Sequence, residues 1–146
     1  MDKKFKYQME MDIIKVECDC DCPNKNLKSI NSFVAFRYVF EDIRHKSNFL
    51  PQFKDDPSRF TDADGKKKCN YLSLSMFAKI EGAKERYQQL ANTFPNFKKT
   101  AGSHIAHGLL NEDDGLITDE GFFTHFELYE FENAELQNKF TVSEKL

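Results

Sequence analysis

The stretch "KFKYQMEMDIIKVECDCDC", residues 4–22, alternates apolar and polar side chains almost without a break. Phe5, Tyr7, Met9, Met11 and Ile13 take the odd positions, between Lys4, Lys6, Gln8, Glu10 and Asp12. The phase then slips by one, and Ile14, Val16, Cys18, Cys20 and Cys22 alternate with Lys15, Glu17, Asp19 and Asp21. A period of two marks a half-buried strand. The slip predicts a bulge or a bend at Ile13–Ile14. "PNKN" (23–26) reads as the turn that closes the element.

If residues 14–22 are extended, Cys18, Cys20 and Cys22 share one face, with Cα atoms roughly 6.6 Å apart at each two-residue step. That is near the upper limit for a disulfide and too wide for thiolates around a tetrahedral zinc. The spacing therefore favours small apolar core residues with no metal. The N-terminus lacks the apolar run of a secretory signal, so the expectation is a cytoplasmic protein whose thiols, Cys69 included, stay reduced. On the opposite face Glu17, Asp19 and Asp21 would form an acidic stripe, solvated or holding a hard cation such as Mg²⁺ or Mn²⁺.

Further along, "SFVAFRYVF" (32–40) is apolar on both faces except at Arg37, the pattern of a central strand. Such an arginine needs a carboxylate partner or a route to water. "EDIRHKSNFLPQF" starts as a short helix bounded by Pro51, and 51–68 reads as one long polar loop. "YLSLSMF" (71–77) is a further strand. Ile80, Ala83, Tyr87, Leu90, Ala91 and Phe94 recur at helical spacing before Pro95. "SHIAHGLL" (103–110) and "GFFTHFELYEF" (121–131), joined through "NEDDG", read as a hairpin that brings His107 towards His125, and Asn133 is placed to cap a last short helix. The expected fold is α+β: one domain over 1–146, a mostly antiparallel sheet, one main amphipathic helix and shorter ones.

With a net charge of −3, the chain is poorly suited to nucleic-acid phosphates. No run reaches the length of a membrane span. "DADGKKKCNY" fails as a calcium loop: with Gly65 at the sixth position, Phe60 and Tyr71 fall where ligands are required. Neither a G-x-S-x-G elbow nor a phosphate loop is found.

One constellation remains: Arg37 in mid-strand, Ser73 and Ser75 in "YLSLS", Glu130 and Glu132 in "YEFE". This order resembles the arginine, serine-x-serine and glutamate-x-glutamate layout of one branch of the ADP-ribosyltransferases, although Leu74 stands where that branch usually has threonine. The resemblance implies NAD as cofactor. Arg37 would anchor its diphosphate, Ser73 or Ser75 would support the nicotinamide pocket, Glu132 would stabilise the ribosyl cation and Glu130 would orient the acceptor. Against it stands a non-catalytic binding or accessory module, with no cofactor, acting on a protein partner or a small ligand. The residues favour the module.

Overall fold

The computed structural model describes residues 3–23 and 26–146. Asn24 and Lys25 of the expected 23–26 turn lie outside the described residues. Among them the chain forms seven α-helices and a seven-stranded antiparallel sheet, an α+β fold.

The opening stretch departs most from expectation. Only Phe5 pairs as a strand would: it bridges Phe131, while Lys6 N–H, at the turn into the helix, donates to the Glu130 carbonyl at 2.9 Å and Glu132 N–H donates to the Lys4 carbonyl at 2.8 Å. From Gln8 to Cys18, however, the chain is a helix, α1. Tyr7, Met11 and Ile14 are buried and Cys18 is half-buried, at i, i+4, i+7 and i+11. Met9, Ile13 and Val16 repeat the same helical spacing on the opposite side and are exposed. Two apolar rows on one helix interleave in the sequence as a false alternation, and the slip at Ile13–Ile14 is the step that helical geometry imposes. The bulge expected at Ile13–Ile14 is therefore absent, since both residues lie within α1. Asp19 ends α1 in the left-handed conformation (φ 51°), so Glu17 lies on the helix while Asp19 and Asp21 follow it, and the acidic stripe does not form.

The strands are β1 (Lys28–Ser29), β2 (Phe33–Val39), β3 (Leu74–Phe77), β4 (His104–Leu110), β5 (Gly115–Ile117), β6 (His125–Glu130) and β7 (Phe140–Lys145), in the order β1-β5-β6-β3-β2-β4-β7. The expected hairpin of residues 103–110 with 121–131 is absent, because β4 pairs with β2 and β7 while β6 pairs with β3 and β5. Asp114 precedes β5 and Lys139 precedes β7, five strands away; a flat sheet would hold them roughly 24 Å apart. Their side chains nevertheless meet at 2.5 Å, so the sheet is strongly curled. Inside the curl Ala35, Val39, Leu74, Met76, Ala106, Leu110, Phe126, Leu128 and Phe140 form the main core.

Helices cover parts of the outer face. α5 (Ile80–Thr93) occupies the predicted amphipathic segment and seats Ala83 against Phe77 and Ile105. Gly82 lies so close to the Phe123 carbonyl that any Cβ would collide with backbone. The supposed loop 51–68 is largely helical: α2 (Gln52–Asp55), α3 (Pro57–Thr61) and the start of α4 (Gly65–Asn70). Asp56 and Asp64 cap the last two, with Pro57 in the first turn. α4 packs Cys69 with Leu72 and Tyr129 under α1. Beyond β3 lie α6 (Phe97–Ala101) and α7 (Leu136–Lys139), where Glu135 rather than Asn133 occupies the cap position. Residues 41–50 form turns instead of a helix, held by the buried Asn48 side chain, which accepts from Phe40 N–H and donates to the Asp42 and Ile43 carbonyls.

The cysteines are paired, Cys18 with Cys20 and Cys22 with Cys69, which corrects the expectation of reduced thiols. Once α1 replaces the strand, the left-handed turn at Asp19 brings the Cys18 and Cys20 Cα atoms to 5.2 Å, within ordinary disulfide reach.

Candidate functional site

On antiparallel β3 and β6, Ser75 stands opposite Glu127 and Phe77 opposite His125. Residues two apart on a strand share a face. Ser73, Ser75, His125 and Glu127 therefore gather on the outer face of the sheet, where they form one hydrogen-bonded group. Ser75 Oγ lies 2.7 Å from His125 Nε2 and 3.3 Å from Glu127 Oε1. His125 Nε2 lies 3.2 Å from the same Oε1. Ser73 Oγ reaches Glu127 Oε2 at 2.5 Å and the Asn70 carbonyl at 2.6 Å.

The three residue types match a nucleophile, a base and an orienting acid, but the geometry does not. In a working triad the carboxylate holds Nδ1 so that Nε2 is free to take the serine proton. Here Glu127 and Ser75 meet the same nitrogen. When the proton sits on Nε2 both contacts are satisfied, and the Ser75 hydroxyl donates its hydrogen bond to Glu127. The network then closes on itself, with the Glu127 carboxylate rather than His125 as the acceptor facing the Ser75 hydroxyl. What it can do is present a serine, an imidazole edge and a carboxylate in fixed positions at the surface.

Arg37 projects towards the interior of the curl. β2 and β3 are in register only at Phe36 and Phe77. In the gap beyond, Arg37 Nη1 donates to the Ser75 carbonyl at 2.7 Å and Nε to the Asn48 carbonyl at 2.7 Å. The expected carboxylate partner is replaced by two backbone carbonyls, and the guanidinium thereby ties the 41–50 turns to the sheet. Desolvation lowers its pKa to about 10, against the opposing fields of Glu130, Glu127 and Asp55.

Glu130 is buried, with Oε2 on Lys6 Nζ at 2.7 Å and Oε1 unpartnered. Burial raises its pKa, although Lys6 and Arg37 pull the other way. Tyr7 beside it is pushed up to about 12 by burial and by Glu130 and Glu10. Glu132 is exposed and joins the 4–6 segment through its backbone. Of the five residues in the transferase-like order, Arg37 and Glu130 share the interior of the curl and feel each other's charge, whereas the Ser73 and Ser75 side chains face outward, Arg37 reaching only the Ser75 carbonyl, and Glu132 is exposed. His107 does not meet His125; it contacts Ser143 on β7. Glu127 was missed by sequence reasoning. Its signal was the matched spacing of Ser73-x-Ser75 and His125-x-Glu127, legible only once β3 and β6 are known to pair.

Among the described residues no group of three or more His, Cys, Asp or Glu is arranged to hold a metal ion, and no helix is long and apolar enough to cross a membrane. Comparison with protein-family models, curated proteins and solved structures finds no match.

Proposed function

We propose that this chain is a non-catalytic binding module that works through a protein partner. The observation that carries the reading is the outward row of α1: Met9, Ile13 and Val16 are 73, 51 and 84 % exposed, opposite a row that already anchors the helix. A helix needs one apolar row to dock on its own core; a second suits it to another surface. Replacing the three by glutamine tests this. Glutamine is as good a helix former, so a row unused in folding leaves the melting temperature within about 3 °C. A fall of about 8 °C or more would make the row part of the fold and sink the reading.

The closed network at Ser75 supports the non-catalytic half. A fluorophosphonate probe should leave Ser75 unlabelled, and stoichiometric labelling would refute it. The runner-up is an NAD-consuming transferase, favoured by the placement of Arg37 and Glu130 within each other's field on the inner face of the sheet. It requires millimolar NAD to raise the melting temperature of the wild type but not of Arg37→Ala. The cytoplasmic address belongs to the same proposal, and the two disulfides weigh against it, since such bonds persist in oxidising compartments. Alkylation of free thiols in freshly lysed cells decides: four reactive thiols fit the cytoplasm, none an oxidising compartment.

A further inference from the structure

The charges beside the outward row of α1 specify what it fits. On a helical projection the nearest side chains flanking Met9, Ile13 and Val16 are Asp12 on one side and Glu17 on the other. Both are exposed, and Glu10 follows on the Glu17 side. The single cation of the helix, Lys15, lies towards the buried row. Asp12, Glu17 and the half-buried Glu10 against the one ammonium leave α1 net negative, and the exposed Asp19 follows at its end. Lys68 stands across a small cavity from Glu17, so the acidic edge is strongest along Asp12.

We infer that this row docks a basic amphipathic helix of a partner protein, an inference that rests on the binding-module reading. Anchors at i, i+4 and i+7 are the spacing by which one helix lays its apolar face against another surface. The acidic flanks select lysine and arginine beside the partner's apolar residues and oppose a second copy of α1, whose carboxylates would face these. Three anchors make a small interface, suited to transient association.

The test is fluorescence anisotropy with two designed helical peptides, one of leucine and lysine and one of leucine and glutamate, matched in their leucine row. The wild type should bind the lysine peptide at least about tenfold more tightly than the glutamate peptide, a gap that narrows with added salt. The variant M9Q/I13Q/V16Q, or Val16→Gln alone should the triple variant fail to fold, should bind the lysine peptide more weakly. Asp12→Asn with Glu17→Gln should lose the preference while keeping the apolar row. Equal binding of the two peptides, or undiminished binding by the glutamine variant, overturns the inference. So does a wild-type dimer in sedimentation that the glutamine variant abolishes, which would make the occupant a second copy. Labelling of Ser75, by contrast, would sink the binding-module reading whatever the peptides do.

Discussion

The bond between Cys22 and Cys69 joins the segment after α1 to the end of α4 across 47 positions of sequence. Loop-closure entropy for a crosslink of that span gives about 4 kcal/mol of stabilisation, whereas Cys18–Cys20, two positions apart, gives about 1.5 kcal/mol by the same relation. A domain of this size has a total stability of about 5–15 kcal/mol, so losing the long bridge removes a large share of it. Urea unfolding with and without reductant measures the effect on the unmodified chain, and Cys18→Ser with Cys20→Ser separates the small term from the large one. Reduction should cost the wild type about 5.5 kcal/mol and the variant lacking the short bridge about 4 kcal/mol. Cys22→Ala with Cys69→Ala should behave like the reduced protein except for the short bridge. A wild-type midpoint that reductant does not move would refute the pairing and with it the argument about compartment.

Three further outcomes follow from the buried polar groups and one close contact. The raised pKa of Glu130 means that the native state binds more protons than the unfolded chain between the ordinary value of 4.5 and the raised one. Stability therefore falls as pH rises through that window, and Glu130→Gln should flatten the dependence in urea midpoints measured across it; an unchanged slope would contradict the assignment. Arg37→Ala leaves the Ser75 and Asn48 carbonyls without their donor and should cost about 3 kcal/mol in the same assay, with a loss below about 1 kcal/mol counting against its structural role. Gly82→Ala drives a methyl into the Phe123 carbonyl and should destabilise by at least about 2 kcal/mol, although alanine is the better helix former; a gain in stability would show that the 122–124 turn yields.

The α+β class and the positions of β2, β3 and α5 were legible because β2 is a short continuous apolar run, β3 lies in an alternating stretch and α5 carries apolar residues at helical spacing. α1 was hidden by its two interleaved rows. Its composition of Gln, Met, Glu, Lys and Ile, short of the aromatic and threonine residues of strands, was the available counter-signal. The helices of 51–68 could have been read from Asp56-Pro57 and Asp64-Gly65, where a capping carboxylate precedes a helix start. Pairing of strands is non-local, so neither the curl of the sheet nor the meeting of Ser75 with His125 and Glu127 could be derived from local patterns. The transferase-like order of residues shared that weakness: it was a list along the chain, and the fold puts Arg37 and Glu130 on the inner face of the sheet and the Ser73 and Ser75 side chains on the outer one.

The rung formed by Lys4, Phe5 and Lys6 against residues 130–132 joins two stretches far apart in sequence, Lys6 and Glu130 standing 124 positions from each other. During synthesis the first of these leaves the ribosome long before its mate exists, so the buried Glu130 carboxylate meets its Lys6 ammonium only after 124 further residues have been made. Until then Phe5 and the apolar rows of α1 stand uncovered, and a nascent chain stalled short of residue 130 should be a good client for chaperones.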